Sequence, residues 1–136
     1  MNLKKKRHTF KTILNFGREK LRFDKALTIN GAGIGSTLID TSAFTGYGLQ
    51  ITAADVTLAG LTLQGPGVDQ HANYGIKATG DNLTLTDLLV QGFGRSEVDL
   101  NGVDGATLTN VTADGQNTAG VGIALSNVNN VTLTNS

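Results

Sequence analysis

A chain of 136 residues with no cysteine, no tryptophan and one proline is long enough for one domain. It excludes a disulfide framework, a thiolate metal centre and a cysteine nucleophile. Eleven Lys/Arg match eleven Asp/Glu, but residues 1–25 hold nine of the cations against two acids (+7), while residues 26–136 hold Lys77 and Arg95 against nine acids (−7); a basic segment therefore precedes an acidic body.

The basic segment, residues 1–25, opens with MNLKKKRH, the positive start of a secretory signal. The stretch after it is broken by charges, so no signal peptide is visible, and nothing in the chain reaches the about 20 apolar residues of a membrane-spanning helix. Phe10, Ile13, Leu14, Gly17 and Leu21 fall near helical spacing, which predicts an amphipathic helix capping the open end of the body. A disordered tail is the second reading. A nucleic-acid or membrane-surface patch is a third, resting on a basic run that has a high false-positive rate, and no nucleic-acid partner is expected.

From residue 26 the pattern changes. LTINGAGIGSTLID (27–40) reads as strand, glycine-rich bend, strand. GAGIG (31–35) has the look of a phosphate loop, but its spacing is one residue short and a strand replaces the helix such a loop needs, so it reads as a turn. Then one phrase recurs: VTLAGLTLQG (56–65), LTLTDLLVQG (83–92), ATLTNVTADG (106–115) and VTLTNS (131–136). Apolar Val56 and Leu58, Leu83 and Leu85, Ala106 and Leu108, Val131 and Leu133 alternate with Thr57, Thr84, Thr107 and Thr132. That is the period of a half-buried strand. Gly60, Asp87, Asn110 and Asn135 follow at one offset and, as residues that tolerate left-handed angles, predict a tight bend. A second inward strand comes next (61–63, 88–90, 111–113), and a third precedes each phrase: GLQI (48–51), GIKA (75–78), EVDL (97–100) and GIAL (122–125).

Three short strands per repeat describe a coil in which each strand pairs in parallel with its copy one turn on, about 4.8 Å away. The expected fold is all-β, a parallel β-helix of about five coils over residues 26–136. Its columns would be Leu58/Leu85/Leu108/Leu133 and Ile51/Ala78/Leu100/Leu125, with polar columns at the corners. The last coil stops after Asn135, so the expected partners at that end are further β-helix coils or a second copy of the chain.

The GIALSNVNNVTLTN coil (122–135) and its counterparts resemble the right-handed parallel β-helix of the pectin-lyase-like superfamily. The resemblance covers roughly residues 26–136 and extends to the opening LTINGAGIGSTLID. It implies a secreted or cell-surface protein that binds or processes polysaccharide, in a cleft along the strand preceding the VTL strand. The same fold also serves as stalk, spacer or adhesin segment, so function rests on the site.

On this chain the cleft strand carries Gln50, Lys77, Asp99 and Ala124 outward. Glu97 is two residues before Asp99, and the flanking loops bring Asp69, His71, Tyr74 and Arg95. Lys77, Glu97 and Asp99 are the candidates for catalysis, and His71, Tyr74 and Arg95 join them as candidates for binding substrate. A uronic-acid polymer needs such types: a cation for its carboxylate, a base for the C5 proton, an acid for the leaving oxygen. A surface ion pair worth under about 1 kcal/mol is the plainer reading. YGIKAT (74–79) resembles the start of the alginate C5-epimerase signature at Tyr74, Gly75 and Ile76. Lys77, Ala78 and Thr79 stand where that signature has aspartate, proline and histidine, so epimerase activity is not expected. Calcium is the one cofactor with candidate ligands, Asp69, Glu97 and Asp99.

Overall fold

The computed structural model describes residues 21–67, 73–117 and 120–136. Eleven strands follow in chain order. The first coil holds β1 (Leu21–Phe23), β2 (Leu27–Asn30) and β3 (Leu38–Asp40). The next three each hold a short and a long strand: β4 (Tyr47–Ile51) and β5 (Val56–Gln64), β6 (Tyr74–Ala78) and β7 (Leu83–Gln91), β8 (Ser96–Asn101) and β9 (Asp104–Asp114). β10 (Val121–Ser126) and β11 (Asn129–Thr134) complete the series. Every pairing is parallel and joins a strand to its counterpart one coil away. The first sheet runs β1-β4-β6-β8-β10, the second β11-β9-β7-β5-β2 with β3 beside β5. The result is a parallel β-solenoid of about four turns, with no helix among the described residues.

The register follows the hydrophobic period. Leu58, Leu85, Leu108 and Leu133 pair in succession, as do Thr57, Thr84, Thr107 and Thr132 on the opposite face. A one-residue slip would turn every leucine into water, so burial of one face fixes the pairing. Leu58, Leu85, Leu108, Ile51, Ala78 and Leu100 are all fully buried.

The bends are a single residue each. Gly60, Asp87, Asn110 and Asn135 take φ of 67°, 51°, 54° and 52°. Left-handed angles cost least in glycine and are tolerated by Asn and Asp. The strand does not break there: β5, β7 and β9 run through their bends, so the two expected inward strands are halves of one kinked strand. The exposed side chains bond along the column, Asn110 Nδ2 to Asp87 Oδ1 at 2.8 Å and Asn135 Nδ2 to Asn110 Oδ1 at 3.2 Å. The corner before the long strand does likewise, with Asn82 Nδ2 donating to Asp55 Oδ1 and Asn130 Nδ2 to Asp104 Oδ1.

Three expectations change. Leu21, assigned from its spacing to a capping helix, lies in β1 and pairs with Leu49. Its helical spacing with Gly17 is outweighed by the edge of β4, which offers a full set of ladder hydrogen bonds. The first coil therefore takes in residues 21–23 from the segment set apart by charge, while Phe10, Ile13, Leu14 and Gly17 lie outside the described residues. The turns number about four, not five. Leu125 and Leu133, expected inside, are each 42% exposed, because β10 and β11 are covered by a neighbouring coil on one side only.

Candidate functional site

Among the described residues, the outer face of the first sheet gathers side chains that break the repeat. The pairing Gln50–Lys77–Asp99–Ala124 holds, so Lys77 and Asp99 face out on neighbouring strands. Lys77 Nζ lies 2.8 Å from Asp99 Oδ1, and both side chains are more than four-fifths shielded from solvent. At the start of the same strands Tyr47 pairs with Tyr74. Their rings stand 5.6 Å apart, tilted by 43°, within the range where aromatic pairs attract beyond simple area burial. Lys77 Nζ sits 4.6 Å from the Tyr74 ring centre and Arg95 Cζ 5.7 Å from it. Tyr74 thus holds two cations, of which Asp99 neutralises one. Beside them a shallow depression of about 470 Å³ is lined by Arg95, Ser96, Asp99, Val121, Ala124 and Ser126, among others.

The loop that carries Arg95 is anchored from inside. Phe93 is 1% exposed, and its ring lies where side chains at Gly48, Gly65 and Gly75 would stand: a Cβ at Gly48 would approach the ring to 2.8 Å, and one at Gly75 to 2.9 Å. These glycines are therefore required by close approach. Glu97 completes the anchor, its Oε1 accepting the Phe93 N–H at 3.1 Å. Burial raises the Glu97 carboxyl above its ordinary range, and Asp114 adds to the rise. The N–H bonds from Phe93 and from Glu97 itself pull the other way.

Asn73 fixes the loops from another direction. It is 3% exposed. Its Oδ1 accepts the Gly46 N–H at 2.7 Å and its carbonyl accepts the Arg95 N–H at 2.9 Å.

Of the expected site residues, Lys77, Asp99, Tyr74 and Arg95 come together on one outward strip. Glu97 does not join them. Counting alternate residues back from Asp99 puts Glu97 outside, but the strand turns a corner at this position: in β6 the equivalent Gly75 and its successor Ile76 are both buried. Glu97 is 1% exposed and supports the Arg95 loop. His71 and Asp69 lie outside the described residues. For calcium, Asp99 is bonded to Lys77 and Glu97 is buried away from it. Among the described residues no three His, Asp or Glu side chains gather as a metal site, and no helix is long and apolar enough to cross a membrane, which says nothing of spanning strands.

Sequence reasoning missed Tyr47 and Asn73. The repeated Tyr-Gly pair, Tyr47–Gly48 and Tyr74–Gly75, was a signal for the first. Asn73 is in a loop without periodicity and leaves none.

Chemically the strip offers ring faces for the apolar C–H surface of a sugar, and a guanidinium fork suited to a carboxylate. Lys77, held between Asp99 and the Tyr74 ring, is committed to structure more than to proton transfer. In comparisons with known proteins, the chain matches no family model, no curated protein and no solved structure.

Proposed function

We propose that this solenoid is a polysaccharide-binding segment of a secreted or cell-surface protein, of the pectin-lyase-like kind its repeats resemble, and that it takes an acidic chain along the strip of Tyr47, Tyr74, Lys77, Arg95 and Asp99. The observation that carries the reading is the pair of tyrosines on adjacent coils with Arg95 and Lys77 against the Tyr74 ring. Neighbouring tilted rings and a guanidinium on one face suit a sugar ring bearing a carboxylate. The reading is binding and not turnover: the Lys77 ammonium is engaged by Asp99 at 2.8 Å, and Glu97 is turned inward.

The test is a titration with oligogalacturonate and oligomannuronate, with and without calcium, with a neutral oligosaccharide as control. Binding of the acidic sugars, weakened about tenfold or more by Tyr74→Ala and by Arg95→Ala, supports the reading. Equal affinity for the neutral control, or no binding to any, would leave the solenoid as a stalk or spacer. Release of unsaturated or reducing ends would instead make it an enzyme.

A further inference from the structure

The strip is assembled from three coils, and Asn73 bonds to the other two, to one through its side chain and to the other through its backbone carbonyl. Asn73 Oδ1 takes the N–H of Gly46, the residue before Tyr47, at 2.7 Å. Tyr74 follows Asn73 directly and returns its own N–H to the Gly46 carbonyl at 2.8 Å. The Asn73 carbonyl takes the N–H of Arg95 at 2.9 Å. Three hydrogen bonds and one peptide link therefore set Tyr47, Tyr74 and Arg95 relative to one another. The side-chain bond is peculiar to this coil: glycines 46 and 120 stand at equivalent positions, and Arg95, the fourth, is exposed.

The amide has a further oddity. Asn73 Nδ2 is buried and has no hydrogen-bond partner among the described residues. A buried donor left unpaired costs about 1–3 kcal/mol.

We infer that Asn73 is the positioning residue of the recognition strip, its side chain fixing the Tyr47 ring against Tyr74 before any ligand arrives, beside the Arg95 that its backbone carbonyl holds. The inference rests on the polysaccharide reading for its purpose but not for its geometry. A surface fixed beforehand loses less entropy when a flexible polymer lands on it.

Tyr47 and Tyr74 are the chain's two tyrosines, and it has no tryptophan. The near-ultraviolet circular dichroism of the tyrosine band therefore reports on this pair with no ligand present. In Asn73→Ala the far-ultraviolet spectrum is expected to hold, the tyrosine band to lose at least about half its intensity, and oligogalacturonate affinity to fall about tenfold, as expected for roughly 1.4 kcal/mol. Asn73→Asp keeps an oxygen for Gly46 but buries a carboxyl, so at a pH low enough to hold that carboxyl neutral it is expected to restore the band to the parent's intensity at the same pH. An unchanged band in a folded Asn73→Ala overturns the inference, as does failure of Asn73→Asp to restore it at that pH. Should the alanine variant not fold, Asn73→Ser, whose hydroxyl is too short to span to Gly46, is read by the same two criteria. Were the parent chain to bind no uronate, the binding proposal would fall while the tyrosine band still decided the role of Asn73.

Discussion

The two sheets of this solenoid rest on the same interior, yet their outer faces differ. The second sheet repeats itself: Thr57, Thr84, Thr107 and Thr132 lie in register on successive strands. On the first, the equivalent column reads Gln50, Lys77, Asp99, Ala124, and the strands begin with Tyr47, Tyr74, Ser96 and Val121. Backbone pairing and leucine columns make the same demands on both faces, and β-branched threonine meets them well. Folding therefore explains the uniform face. It does not explain two tyrosines, a lysine, an aspartate and an arginine converging within three coils. On a repeating scaffold, departure from the repeat marks what the fold leaves free for another use.

The largest change comes from breaking what both faces share. Leu85 is fully buried and pairs with Leu58 and Leu108. Leu85→Ala should destabilise the chain by about 2–5 kcal/mol through lost transfer energy and the cavity left behind. Denaturant unfolding followed in the far ultraviolet and in the tyrosine band should move together, because each coil's support reaches both sheets. A tyrosine band that melted well before the far-ultraviolet signal would show that the strip is an appendage of the solenoid and not part of its cooperative unit.

The interior was legible in the sequence because its rule is local. Alternation of Leu85 with Thr84 and Thr86, and a bend-tolerant residue at each of positions 60, 87, 110 and 135, determine which side chains enter the core and where the strand kinks. Lys77 and Asp99 were placed by the same rule. The strip was only partly legible because its remaining parts obey no period. Glu97 follows the alternation and breaks it, since the backbone corner at the equivalent Gly75 buries two successive residues. Asn73 acts through bonds to coils 27 and 22 residues away in sequence, and no spacing announces such a bond. The Phe93 anchor was hidden for the opposite reason. Its pocket consists of missing side chains at Gly48, Gly65 and Gly75, which read in sequence only as the first residues of strands 48–51 and 75–78 and the last of the phrase 56–65.

Glu97 sharpens the contrast, because it is a charge the fold buries on the side of the variable face. Its carboxyl is raised in the folded state, chiefly by burial. The folded chain therefore holds that proton more readily than the unfolded chain. The ionised form costs stability above the folded pKa, and the cost is relieved as pH falls through that pKa towards the unfolded value. Glu97→Gln retains an oxygen for the Phe93 N–H and removes the charge. Thermal unfolding should find it more stable than the parent at neutral pH, with the gap closing as pH falls through the carboxylate range. A variant less stable at every pH would mean that the carboxylate's charge, and not merely its oxygen, holds the Arg95 loop.

A smaller effect is expected at the ion pair. Lys77 and Asp99 meet at 2.8 Å near the surface, and pairs of this kind contribute about 0.2–1 kcal/mol. A double-mutant cycle with Lys77→Met and Asp99→Asn should give a coupling in that range, decreasing with added salt. Coupling well above it would mean the pair belongs to the structural core of the solenoid and that its place on the strip has no bearing on ligands.

The smallest effect is expected on the uniform face. Thr84 lies between Thr57 and Thr107, half-buried in the column. Valine keeps its branching and nearly its volume, so the strand's preference and its packing against neighbouring threonines are retained. Thr84→Val should change stability by no more than about 0.5 kcal/mol in either direction. It should leave oligogalacturonate affinity and the tyrosine band as they are, since β7 and β6 meet at the solenoid's corner and their outer faces point apart. The comparison of faces depends on this near-silence as much as on the loss expected at Tyr74. If Thr84→Val weakened binding as much as Tyr74→Ala, the ligand would have to touch the repeated face too. Departure from the repeat would then no longer distinguish the working surface from the scaffold.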